Sequence, residues 1–212
     1  HLSAEAREAT AAGARDFDAL APATAAVIRF SAGMAGIAAE NMVRGGGWIF
    51  LDLGRRIERA AHTARDLAHA LDQPVQRIEA GLRLALELCD SAITYRSRYL
   101  SALQPAPVLD LVLADPTNPR SLAYQLRHVE ARLAEVGGGP EGELVRAAGR
   151  LRGEVETMVE RIADADEPAL EAAALPARLG ALGAGIAARG GAIARRDFSH
   201  VPAAPAVGFG DE

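Results

Sequence analysis

Lysine is absent from this 212-residue chain, so all 23 basic residues are arginine. Cysteine is nearly absent too. The single Cys89 excludes an internal disulfide framework and a cysteine-based zinc site. Aromatic residues make up only 4% of the chain while half of it is apolar, so the core has to be built from Ala, Leu, Val and Ile. With 28 acidic residues the formal charge is 23 − 28 = −5, and no basic patch offsets it. That argues against nucleic acid as a partner. The opening HLSAEAREAT has no basic stretch followed by an apolar run, and so does not read as a secretory signal. No run approaches the ~20 consecutive apolar residues that span a bilayer. The nearest stretch, Leu175 to Ala194, is interrupted by Arg178 and Arg189. No membrane is expected, and composition implies a soluble, cytoplasmic, helical domain. Gly-x-Gly-x-x-Gly openings, Walker-type loops and Gly-x-Ser-x-Gly elbows are all missing.

What is present is helical spacing throughout, without the alternation of half-buried strands. The fold class is all-α: a multi-helix bundle of six or more helices and no sheet. Ser3 reads as the cap of a first helix reaching about Leu20, and Pro22 as the opening turn of a second, ending near Met42 before Gly45-Gly46-Gly47. A third helix runs from about Trp48 to Leu71 on the stripe Leu53, Ile57, Ala60, Ala64, Leu67 and Leu71. The spacing then predicts one long helix over Val75 to Leu100, apolar all round at Leu82, Leu84, Leu86 and Leu88, and therefore central. Further helices are expected at about 106–113, from Pro119 or Arg120 to Val136, at 141–165, and at 167–198 with a break near Leu175. Residues 1–200 read as one domain and 201–212 as a flexible tail.

Three stretches carry polar groups worth chemistry. On the third helix Arg55, Glu58, Arg59, His62 and Asp66 share one face. Glu58 and His62 stand at i and i+4, but no second Glu-x-x-His appears, so no metal site is expected. The alternative is a solvated face laced with ion pairs. Arg96 falls eighteen residues, or five turns, after Ile78, which aims it at the apolar side and demands a partner among Glu58, Asp90 and Asp115. In Asp115-Pro116-Thr117-Asn118-Pro119-Arg120-Ser121, Asn118 can cap the helix that Pro119 opens, while Arg120 adds charge at a helix N-terminus. Glu58, Arg96 and Arg120 are expected to share a pocket or ion-pair network. Cys89, in an apolar run, reads as core, and His128 and His200 lack catalytic partners.

Gly47-Trp48-Ile49-Phe50-Leu51-Asp52-Leu53-Gly54-Arg55-Arg56-Ile57-Glu58-Arg59-Ala60, Tyr95-Arg96-Ser97-Arg98-Tyr99 and the 115–121 stretch together resemble the bacterial alpha-E domain family. Asp197-Phe198-Ser199-His200 resembles its C-terminal signature. The resemblance implies a longer domain, with an earlier Gly-Arg-x-x-Glu-Arg-Ala helix in an N-terminal copy that this chain lacks. It also implies a setting beside a circularly permuted ATP-grasp ligase, often with a transglutaminase-like peptidase nearby. The expected function is an accessory or binding domain of an amide (peptide) ligase system, holding a peptide, amino-acid or carboxylate substrate or docking the ligase. Its site residues would be Arg55, Glu58, Arg59, Tyr95, Arg96, Arg98, Asp115, Asn118 and Arg120. No cofactor is expected in this domain, since ATP and Mg belong to the ligase. One alternative is an enzyme acting on peptide or amide bonds with Glu58 as acid/base, and another is a structural oligomerisation domain. Ile28, Met34 and Ile37 are expected to lie bare, on a face open to self-association.

Overall fold

The computed structural model describes residues 17–99, 102–138 and 141–198. The helix expected from Ser3, up to residue 16, and the tail 201–212 lie outside the described residues. Among the described residues nine helices follow one another: α1 Phe17–Asn41, α2 Gly46–Leu71, α3 Ile78–Leu88, α4 Ala92–Arg98, α5 Pro105–Leu109, α6 Leu122–Leu133, α7 Glu143–Ala163, α8 Pro168–Ala173 and α9 Pro176–Phe198. Among the described residues there is no strand, and the all-α expectation holds.

The chain divides into two compact units, 1–48 and 49–212. In the first, α1 runs straight through Pro22, so that proline sits inside a helix and not at its opening turn. Ile28, Met34 and Ile37 are 62%, 50% and 59% exposed, bare as expected. Within Leu20–Asn41 the most apolar 18-residue stretch has a mean hydropathy of 1.3, and the helix is, by length and composition, apolar enough to cross a membrane. Among the described residues the stretch that comes nearest to spanning length is therefore here and not at Leu175–Ala194, even with Arg29 inside it.

In the second unit the expected α2 stripe is buried at every position, from Leu53 through Leu71. Helices α6 and α7 pack side by side, and α7 buries Ala148, Leu151, Val155, Met158 and Ile162 at steps of three and four. A closely enclosed stretch begins at the end of α5 and continues through a π-helical turn over Asp110–Ala114. Val108, Leu109, Leu111, Val112 and Leu113 are all 0% exposed. Each such side chain contributes about 1.5–3 kcal/mol on burial, enough to hold a short segment that carries two prolines.

The long helix expected over Val75 to Leu100 is not formed. A single 3₁₀ turn, Val75–Arg77, precedes α3, and α3 stops at Leu88. Asp90 has φ 47°, the Asp90 N–H donates to Glu87 O, and the Ser91 N–H donates to Leu86 O. This pair of bonds is a Schellman ending, with Asp in the left-handed position usually held by Gly. Aspartate tolerates that conformation better than most residues. The break rotates everything downstream: Tyr95 turns inward at 2% exposure and Arg96 outward into solvent. Nor is α3 central, because Leu84 and Leu88 are 46% and 49% exposed. Cys89 is core, and burial pushes its thiol up to about 12.

Where α3 crosses α2, the backbones touch. A Cβ at Gly81 would lie 2.4 Å from the Ala70 carbonyl oxygen, an atom that cannot swing aside. Gly81→Ala is therefore expected to cost about 1–3 kcal/mol, measured as a fall in the urea midpoint. Gly153→Ala, where nothing lies within 4 Å, is the control. Its midpoint should hold or rise through helix propensity.

Candidate functional site

Among the described residues of the 49–212 unit, the buried polar ones fall into two groups, and these decide which motif side chains remain free. The first group gathers on the 115–121 stretch. Asp115 Oδ1 accepts from the Thr117 N–H at 2.7 Å, the Thr117 hydroxyl at 2.7 Å and the Asn118 N–H at 3.2 Å, an Asx-type turn. Asp115 Oδ2 accepts from the Arg98 guanidinium. Asn118 does not cap α6. Its Nδ2 donates to Ser91 Oγ at 3.1 Å and to Leu111 O at 2.8 Å, which ties the turn to the start of α4 and to the π turn. The cap is Ser121, whose Oγ accepts the Tyr124 N–H at 3.1 Å and donates to Asp115 O at 2.6 Å. Prolines 116 and 119 hold the chain in consecutive turns, so the helix begins three residues later than the Asn118–Pro119 reading expects. Burial pushes the Asp115 carboxyl up, but Thr117 and Arg98 outweigh it and hold it below the ordinary range. Asp110, nearby, is pushed up by burial and by Asp115.

The second group lies along α2. Asp52, 8% exposed, accepts from Arg56 Nε at 3.2 Å and Arg132 Nε at 2.9 Å. Burial raises its pKa, yet the hydrogen bonds and charges of Arg132 and Arg56 leave it lowered. Arg56 also donates to Gln125 Oε1 at 3.2 Å and lies 5.7 Å from the Tyr124 ring centroid. Around this clamp opens a cleft of about 70 Å³, lined by Asp52, Arg55, Arg56, Arg59 and Gln125. Three guanidinium groups thus face one carboxylate that is already shared. Among the described residues, neither Arg55 nor Arg59 makes a side-chain hydrogen bond or an ion pair. Partial burial lowers the pKa of Arg59, and the charges of Arg120, Arg55 and Arg56 lower it further. Positive charge is in local surplus.

The other motif residues are placed as follows. Glu58 is not among the residues that line the cleft; it is 75% exposed, with its carboxylate 3.6 Å from His62 Nδ1. Arg120 pairs with Asp90 at 3.1 Å. Tyr95 is buried, its hydroxyl set between Ala102 O and the Gln104 N–H. Arg96 lines a separate cavity beside α3. No hydrogen bond or ion pair among the described residues joins Glu58, Arg96 and Arg120. The described residues hold no group of three or more His, Cys, Asp or Glu placed for a metal. Asp52, Gln125 and Arg132 went unremarked in the sequence. Their signal was weak: Asp52 is four residues before Arg56 on one helical face, and Gln125 is a polar residue on an apolar stripe.

A family described as Alpha-E, "a predicted alpha-helical domain with a conserved ER motif", matches residues 1–198. The Glu-Arg pair occurs at Glu58-Arg59 and again at Glu160-Arg161. Uncharacterized proteins of Mycobacterium bovis and of two Mycobacterium tuberculosis strains are 33% identical over 170 residues, which is 79% of this chain and 19% of theirs. The chain therefore spans about a fifth of the length of these curated relatives. No solved structure matches.

Asp115 generates a pH prediction. Its folded pKa lies below the unfolded value of about 3.9, so its stabilisation is complete above that pH and is lost as pH falls through the folded pKa. Asp115→Asn should lower stability at pH 7 by about 2 kcal/mol, the scale of one charge-assisted bond lost. The deficit should shrink in urea titrations taken near pH 3. A deficit that is equal at both pH values would assign the loss to packing instead.

Proposed function

The chain belongs to the Alpha-E family, and we propose that it is a helical binding domain which holds the carboxylate of a peptide or other substrate for an ATP-grasp-type amide ligase system. The observation that carries this reading is the α2 cleft. Arg56 is fixed by Asp52 and Gln125, which leaves Arg55 and Arg59 with their donors unspent at its mouth. A guanidinium presents paired N–H donors that match a carboxylate in bidentate fashion, and an unengaged pair beside a rigid third is a receptor for such a group. The cleft also contains the arginine of Glu58-Arg59, whereas Arg161 of the second Glu-Arg pair is engaged with Glu171 at 3.4 Å. The surplus charge stands out on a chain of formal charge −5.

In this reading the ligase partner supplies ATP and its magnesium. The domain presents or receives the substrate carboxylate in the cytoplasm, and a transglutaminase-like peptidase acts on the same products. The setting beside a ligase rests on the resemblance of the three motifs. Glu58 favours binding over catalysis, because it stands in open water beside His62, while general acid/base work needs a water-poor pocket. A purely structural role calls for motif arginines that are exposed and mutually distant; Arg96, Arg98 and Arg120 are placed elsewhere, while Arg55, Arg56 and Arg59 share one cleft.

The test is calorimetric titration with an N-acetylated peptide ending in a free carboxylate and with its C-terminal amide. The carboxylate form should bind more tightly, and less so as salt is raised. Arg55→Gln combined with Arg59→Gln should weaken it at least tenfold, since a charged hydrogen bond contributes about 1.5–3 kcal/mol and 1.4 kcal/mol is a factor of ten. Helicity should not change, because both side chains are free of structural partners. Equal affinity in the double variant would remove the cleft from the function. Reconstitution with an ATP-grasp ligase, ATP and amino acids, read by mass spectrometry, then tests the ligase setting by the amide product.

A further inference from the structure

A second cavity, larger than the arginine cleft, lies away from it in the 49–212 unit. It measures about 270 Å³ and is bounded by α3 (Glu79, Arg83, Leu86, Glu87), α4 (Ala92, Tyr95, Arg96) and the segment Ala102–Leu103. Its floor is apolar and fixed: Leu86 and Tyr95 are 3% and 2% exposed, Leu103 packs on the same core, and the Tyr95 hydroxyl is held on both sides by the 102–104 backbone. Its rim is charged with both signs. Glu79 and Arg83 pair with each other at 3.1 Å. Glu87 and Arg96 make no side-chain hydrogen bond or ion pair among the described residues, although they line the same cavity. The Schellman break explains why they stand apart, since it ends α3 just after Glu87 and restarts the chain at another phase with Arg96 outward.

We infer that this cavity is a binding site for a zwitterion with an apolar side chain, an α-amino acid or a short peptide. Arg96 receives the carboxylate, Glu87 receives the ammonium, and the side chain lies on Leu86, Tyr95 and Leu103. An unengaged cation and an unengaged anion at the rim of one cavity match both ends of such a ligand. A ligand with one charge leaves the other rim group unanswered. At about 270 Å³ the volume falls just below the range of ordinary ligand pockets, which begins at about 300 Å³, and so suits something the size of leucine or a dipeptide. The inference stands independently of the carboxylate cleft on α2, with which it shares no residue.

Backbone amide NMR of the whole chain tests it, with L-leucine, L-leucyl-L-leucine, N-acetyl-L-leucine and L-leucinamide as the titrated probes. Saturable shifts at Leu86, Tyr95 and Leu103 are expected with leucine or the dipeptide, and whichever binds more tightly identifies the source as free amino acid or peptide. Each blocked derivative should bind at least tenfold more weakly. Arg96→Gln should weaken leucine at least tenfold yet leave leucinamide unchanged, while Glu87→Gln should weaken leucine yet leave N-acetyl-leucine unchanged. Both positions are exposed, so the fold is not at stake. Arg55→Gln with Arg59→Gln should leave leucine binding as it was, so failure of the α2 cleft is read separately. Absence of saturable shifts with both zwitterions overturns the inference, as does equal binding of the blocked and unblocked forms.

Discussion

The second unit depends on a carboxylate almost closed off from bulk water. Asp115 is 6% exposed, and its side chain and carbonyl together collect bonds from Arg98, Thr117, Asn118 and Ser121. Through Asn118 the same knot reaches Ser91 and Leu111. Three helices that share little sequence thus take their relative places from one residue: α4 by its arginine, α5 by its last turn and α6 by its cap. A buried charge is tolerated only when it is matched bond for bond. No buried side-chain polar atom among the described residues is left unsatisfied. The motif that looks most like a ligand loop in the sequence is thereby a structural one, its polar atoms spent on the fold.

The arginines divide along the same line. Arg56, Arg98, Arg132 and Arg152 are committed to carboxylates of other helices or of their own. Arg55, Arg59 and Arg96 are not, and each of these opens on a cavity. In a chain without lysine, a guanidinium does both jobs, and residue type cannot tell the structural cation from the receptive one. Only the count of its hydrogen bonds does.

That division marks the limit of what the sequence could say. Helical class, the α2 stripe from Leu53 to Leu71 and the break near Leu175 were legible because period and proline are local signals. The end of α3 was not, because a left-handed Asp90 has no signature comparable to glycine, and an uninterrupted phase count carried Arg96 to the wrong side. The central element was misplaced for a related reason. Leu84 and Leu88 make α3 look apolar all round, while the enclosed stretch is the short run from Val108 to Leu113 that ends α5 and forms the π turn. At the site, Arg55 and Arg59 were legible as members of a polar face. Asp52 and Gln125, which make that face a cleft, were hidden among apolar neighbours because their partners come from residues 69 and 80 positions away.

The left-handed residue at the end of α3 has a consequence for how this chain can vary through descent. In a continuous helix, gaining or losing one residue turns every later side chain by about 100°. Here the count restarts at Asp90, so the orientation of Tyr95 and Arg96 is inherited from the joint and from the Asp115 knot, not from Ile78. The Tyr-Arg-Ser-Arg-Tyr segment is consequently a cassette. Its bearings survive changes of length on the far side of the joint, and a lineage can remodel α3 without re-aiming the residues that follow it.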